Sequence, residues 1–463
     1  MKKLVLMMVS LFLISSAYAQ DKEALKAQKE AEKEAKATFK KAKSIYETSI
    51  PNKEYGREVT DFEKLAGALP LIESAIQNEF TNKDFDTWKV ATDIMNEYYQ
   101  KESAEMRDDP DNEQKRAKLL ETSLKLVSYC PKYDDLLALD TKTKPEEKTK
   151  IHLNNQIIAI NPALQVLNAA QNASNSDDQA ELKKGVEYAD LFLNLMEKSN
   201  LMKDFKNEKV DLDYYKTYAK VFRAQSLLNI EGTPEADVVA AYEALIPTKS
   251  KAVAYNSLSN YFSQKDKVKQ NKYLLEGIEA LKDDAERKDL RANFAFIYAQ
   301  NLYNGGNYKS EDKESLKKAI QLIKDEFSDN DMAMNAYQME GQIALNDKKY
   351  TEAIELFLAA SAKYPDEEKF LILAAGSAWE NAKNNGSKKP DLEQAIKLFK
   401  EVEKACPSEP EFWGESLYIL YNNTQQTALA NQYKKYYKGK QSFLKSDYSR
   451  FYFPSRGCVI IIW

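Results

Sequence analysis

The 463-residue chain is poor in the residues from which most active sites are built. It has one histidine, His152, and three cysteines, Cys130, Cys406 and Cys458. Imidazole-based metal sites and Ser-His or Cys-His catalysis ordinarily need more than this. His152 lies in KIHLNNQIIAI, beside an apolar helical face, so a structural or solvated histidine is expected. An odd cysteine count leaves at least one thiol outside any disulfide within the chain. Cys130 and Cys406 share a setting, SYCP and KACP, ahead of a proline expected to end a helix. That setting suits a small apolar packing residue. The sequences GxSxG, HExxH, CxxC and the phosphate-cradling GxxxxGK are all missing. The 72 acidic residues are too many for any pair to be informative, and most are read as solvated helix faces. No catalytic residue, metal or cofactor is therefore expected.

Gly and Pro are also scarce, 13 each, while 30% of the residues are charged. Both residues interrupt regular structure, so this balance favours helix. The net charge is −5 with the two signs mixed and no basic stripe, so nucleic acid is not an expected partner. Tyrosine is abundant, at 28 residues. Large flat side chains of this kind fill the gaps between packed helices.

The first residues read as an export signal. Lys2 and Lys3 are followed by an apolar run, Leu4 to Ile14, broken only by Ser10, and then by Ala17-Tyr18-Ala19. Small residues two apart match signal-peptidase cleavage, here after Ala19. An uncleaved anchor is the alternative, although the run is shorter than the roughly 20 residues of a bilayer span. No cysteine lies near the cleavage point to carry a lipid. A periplasmic or secreted protein with no membrane segment after cleavage is the expectation.

Residues 20–50 are rich in Lys, Glu and Ala and read as a charged helix, ended by Pro51, that docks through Phe39, Ile45 and Tyr46. It is either a solvated leading helix or a coiled-coil arm. Across 51–250 the pattern stays helical but its repeat is blurred. Helices are expected at Val59–Phe80, Trp88–Lys101, Gln114–Tyr129, Ile151–Ala170, Gln179–Ser199, Leu212–Asn229 and Pro234–Leu245. The acidic cluster at 108–111 lacks the sixth-position glycine and distal glutamate of an EF-hand loop and reads as a connection with a helix cap. The end, 441–463, is a β-branched, aromatic tail without helical period.

From 251 to 440 a recurrence of 34 residues emerges. Its best copy is YQMEGQIALNDKKYTEAIELFLAASAKYP, with Gly341 and Ala353 at two small-residue positions twelve apart, then Phe357 and Pro365. Ala299 and Ala319 hold the small positions one copy upstream. Ala375 and Ala395 do so one copy downstream, where Phe399 and Pro407 match Phe357 and Pro365. A weaker copy carries Tyr255, Leu258, Ser259 and Phe262, with Asn271 in place of alanine. In the two flanking copies the small residues are twenty apart, which points to eight inserted residues between the helices, expected as loops on one edge. The second insertion leads into Pro390-Asp391-Leu392-Glu393-Gln394, read as a capping box.

This segment resembles the tetratricopeptide repeat (TPR) family, and an exported bacterial member of it. The resemblance implies an all-α fold, an α-solenoid of stacked antiparallel helix pairs. It further implies a ligand groove lined by the first helix of each pair. By register the groove residues are Phe296, Gln300, Tyr303 and Asn304, then Gln338, Gln342, Leu345 and Asn346, then Ile372, Gly376, Trp379 and Glu380. The weak copy adds Asn256, Asn260 and Gln264. The set contains amides and aromatics but neither Lys nor Arg. Amides pair with both N–H and C=O groups of an extended peptide. The expected function is thus a non-enzymatic scaffold binding a protein or peptide partner in the cell envelope. A helical-repeat protein that binds glycans is the alternative, and packing between repeats is the plainer reading of the aromatics. N-terminal sequencing of the purified exported protein should begin at Gln20; a start at Met1 would overturn the leader.

Overall fold

The computed structural model describes the backbone of residues 2–52, 56–207, 210–327 and 331–437, with side chains over the same ranges except at 2–24 and 305. The tail at 441–463, including Cys458, lies outside the described residues. The chain divides after Ser250 into two compact units.

The first unit opens with α1 (Lys2–Ser49). This helix buries Ala35 and Ala42 and lays Phe39, Ile45 and Tyr46 against the core, while residues 25–31 are exposed. Two short helices follow, α2 (Phe62–Leu65) and α3 (Leu69–Gln77), then six more: α4 (Phe85–Asp108), α5 (Glu113–Leu139), α6 (Pro145–Ser174), α7 (Gln179–Leu193), α8 (Leu212–Asn229) and α9 (Glu235–Glu243). Several of their starts are set by side chains that satisfy otherwise free backbone N–H groups. Asn112, Asp178 and Asp211 cap α5, α7 and α8 in this way. From α4 to α9 each helix packs on the next, and α6 also touches α8, so alternate helices form one layer.

Two expectations for this unit are corrected. The helix expected over Val59–Phe80 is two helices joined by a 3-10 turn at Ala66–Ala68, because Pro70 starts a new first turn. Cys130 does not stand at a helix end, since Pro131 lies inside α5. Packing between α4 and α6 carries α5 through the missing N–H, and Asn155 Nδ2 donates to the Cys130 carbonyl at 2.8 Å. Cys130 and Cys406 are both buried free thiols.

The second unit runs as α10 (Lys251–Phe262), α11 (Lys267–Ala280), α12 (Lys288–Tyr303), α13 (Lys313–Glu326), α14 (Asp331–Asn346), α15 (Tyr350–Lys363), α16 (Glu368–Asn384), α17 (Lys389–Ala405), α18 (Gly414–Asn423) and α19 (Thr427–Tyr433). Consecutive helices again pack together, and α12 also reaches α14. The fold is all-α, a solenoid of stacked antiparallel helix pairs. Phe357, Phe370 and Phe399 are fully buried in the core. Among the described residues there is no strand, only an isolated bridge between Asn52 and Arg57, and no helix is long and apolar enough to cross a membrane.

The two insertions differ in form. In the copy holding Ala375 and Ala395, most of the extra length extends the helices themselves, by about a turn each, and only Asn385–Lys388 remain as the connection. The expected protruding loop is therefore absent there. Asp391 is not a cap either: α17 begins two residues before it, with Pro390 in the first turn, and Asp391 accepts from Asn385 Nδ2 at 3.2 Å. The other copy does carry a loop, 304–312, folded into two 3-10 turns.

The close crossing of α14 and α15 depends on Gly341, where a Cβ would run into the Phe357 ring. A similar approach occurs at Gly277, where a Cβ would lie 2.7 Å from Phe294. Gly341→Leu should destabilise the protein by about 1–3 kcal/mol through overpacking. Urea melts check this; unchanged stability would show that α14 and α15 can part without cost.

Candidate partner-binding face

The small residues fix the rotation of α12 to α17 in the second unit. Ala299 and Ala375, with Gly341, are buried on α12, α16 and α14; Ala319, Ala353 and Ala395 are buried on α13, α15 and α17. Phe357 and Phe399 fill the space beneath them, while Pro365 and Pro407 stand exposed just past the ends of α15 and α17. With this rotation set, the residue after each small position on α12 and α14 falls on the neighbouring face. Gln300 and Gln342 occupy these two equivalent places. Both are half-buried, and neither side chain has a hydrogen-bond partner among the described residues.

The residues expected to line the groove fall into three groups. Phe296, Tyr303, Gln338, Ile372 and Gly376 are buried. Ile372 belongs to the apolar core, and Tyr303 stacks on Tyr308 with ring centroids 6.3 Å apart. Phe296, Tyr303 and Ile372 are covered because their side chains are large and apolar enough to be drawn inside. Gln300, Gln342, Leu345, Trp379 and Glu380 are half-buried. Trp379 meets Phe399 edge-on at 6.1 Å, and Glu380 is ion-paired to Lys383. Asn304 and Asn346 are exposed. In the weak copy Asn256 and Asn260 are half-buried on α10, and Gln264 is exposed beyond its end.

Asn304 and Asn346 have structural duties. Asn304 ends α12 in the left-handed region, at φ 44°, which asparagine tolerates better than most residues. Asn346 Nδ2 donates to the Gly306 carbonyl at 3.3 Å. A Cβ at Gly306, whose φ is +94°, would come within 2.9 Å of that same nitrogen. Next to it, Asp347 accepts from the Tyr308 hydroxyl at 3.1 Å and pairs with Lys313. Burial opposes the charge on Asp347, but these bonds outweigh it and hold the carboxyl below its usual range. Burial and the same carboxylate push the Tyr308 phenol up to about 12. Loop 304–312 is thus clasped to the turn after α14.

That clasp joins residues 34 and 39 apart in the chain, and no local sequence signal marks it. The following edge is polar too. A cleft of about 580 Å³ lies where Lys348–Glu352 meet Asn381, Asn384 and Asn385. The first unit has a separate cleft of about 460 Å³ between α4 and α6, with Tyr99, Arg107 and Gln165 in its wall. Among the described residues no group of three or more His, Cys, Asp or Glu is placed to hold a metal ion.

No protein-family model matches the chain, and no curated protein matches it. Solved structures do. Yeast Tom70 is similar over 87% of this chain and 91% of its own, at 11% identity and a TM-score of 0.28. The TPR domain of P58(IPK) is similar over 85% of this chain and 99% of its own, at 13% identity and a TM-score of 0.23. The Naa15/Naa10 structure bound to HypK-THB is similar over 82% of this chain and 62% of the matched chain, at 13% identity and a TM-score of 0.25. The fold assignment rests on the helix-pair packing described above.

Asp347→Ala removes the acceptor of both the Tyr308 and the Lys313 bonds and leaves only the Asn346 bond on the loop. The expected cost is about 1–2 kcal/mol, the range of a charge-assisted bond that is partly open to solvent. Limited proteolysis should then cut near 305–310 faster than in the parent protein; equal cutting rates would show that the clasp does not hold the loop.

Proposed function

We propose that the protein is a non-enzymatic scaffold that holds an extended segment of a protein partner along α12, α14 and α16, in the envelope of a bacterial cell. The observation that carries this reading is the pair Gln300 and Gln342. Two half-buried amides stand at equivalent places on α12 and α14 with no bond of their own. An extended backbone offers donors and acceptors to both ends of such an amide. Leu345 and Trp379 are half-buried on the neighbouring turns and offer apolar surface beside the amides. The basic, apolar and small-residue pattern of the first nineteen residues supports export.

Affinity capture from an envelope extract, run beside a glycan array, tests the reading. The double variant Gln300→Ala, Gln342→Ala should weaken partner capture by about tenfold or more, while its urea melt stays close to that of the parent, since surface substitutions usually shift stability by under about 0.5 kcal/mol. A specific sugar with no protein partner would replace the reading with the glycan one. A variant that folds worse yet binds as well would show these amides to be structural.

A further inference from the structure

We propose that His152 is a pH-operated latch, which fixes the turn at 200–205 to the core helices of the first unit and releases it when the imidazole loses its charge. The argument starts from donors and acceptors. His152 lies on α6, with Nδ1 2.8 Å from Asp134 Oδ1 on α5 and Nε2 3.0 Å from Asp204 Oδ1 in the turn before α8. A carboxylate only accepts, and a neutral imidazole has a single N–H. A neutral His152 would therefore turn a lone pair toward one of the two carboxylates. Both contacts are satisfied together only by the imidazolium, which donates once to each side.

Gln156 supports this assignment. Its Nε2 donates to the Leu201 carbonyl at 2.7 Å and to Asp204 Oδ1 at 2.8 Å, which uses both of its hydrogens. Its 3.1 Å approach to His152 Nε2 is then two donors sharing one acceptor. Gln156 is buried, and beneath the turn Leu201 and Met202 plug into the core. The latch thus acts on the polar side of an anchored turn, at Lys203, Asp204 and Phe205.

The charged groups around the ring are mostly of one sign. From α5 come Asp134 and Asp135, the latter accepting from Asn200 Nδ2 at 3.1 Å. From the turn comes Asp204. On α6 itself, one turn earlier, Lys148 is bonded to the Ala138 carbonyl. Burial disfavours the imidazolium, but the bonds to Asp204 and Asp134 outweigh it and raise the His152 pKa above its ordinary value. Asp204 is held below its usual range chiefly by its bond to His152. Asp134 is pushed up by burial, against the pull of the same ring.

The direction follows from linkage. The folded imidazole binds its proton more tightly than the unfolded one, so the latch contributes fully below about pH 6.5 and is lost as the pH rises through the folded value. On the acid side it is limited by protonation of Asp134, whose raised range brings that limit nearer to neutrality. The turn leads into α8, where the exposed rings of Tyr214 and Tyr218 lie 4.5 Å apart.

The full-length protein tests this directly, because it has one histidine and its imidazole resonances need no assignment. They should titrate above about 6.5. Amide protection factors at 203–205, corrected for intrinsic exchange, should fall by about tenfold between roughly pH 6 and 8.5. Asp204→Asn should lower the imidazole pKa and flatten that profile, and His152→Gln should also flatten it. Flat protection in the parent protein, or an imidazole titrating at or below the ordinary value, would overturn the latch.

Discussion

The second unit depends on how closely two helices can cross. A helix pair buries little unless its axes come together, and they come together only where one helix presents almost no side chain. Gly341 is that place for α14, with the Phe357 ring seated where a Cβ would be. Once the crossing is fixed, so is the rotation of each helix about its axis. That rotation decides which residues face the core, which face the next pair, and which remain half-open. The two free amides at Gln300 and Gln342 follow from this geometry.

Much of the fold was legible because it is local. The small residues at 299, 319, 341, 353, 375 and 395, and the aromatics that sit under them, recur at distances that a helix pair imposes. Breakers were legible less well. Pro131 looks in sequence like a helix end, but flanking helices on both sides supply more than one missing N–H can take away. The extra residues on either side of Asn385 looked like a loop, yet most of them lengthen α16 and α17, with Asn381 and Ala382 buried in the added turn of α16.

The candidate face was legible in part, for a different reason. Register identifies which side of α12 or α16 a residue lies on, but not how near the next pair approaches. Phe296 and Ile372 lie on the named side and are nonetheless covered, whereas Gln300 and Gln342 are half-open. Depth is set by neighbours far along the chain, and periodicity carries no record of it. The same holds for the bonds that Tyr308 and Lys313 make to Asp347, and for His152, whose two carboxylates come from positions 18 and 52 residues away.

The clasp at Asp347 changes what kind of object the stack is. Repeat arrays are usually pictured as coins that touch face to face, each free to tilt on the next within the give of its apolar contact. Here one coin has a strap reaching over its rim. Loop 304–312 belongs to the α12–α13 pair and is fastened to the turn of α14 and α15 through Asn346 and Asp347. Tilting that opens this rim must stretch the strap, while tilting toward the opposite rim need not. Bending of this stretch is thereby made directional, a hinge with a stop on one side.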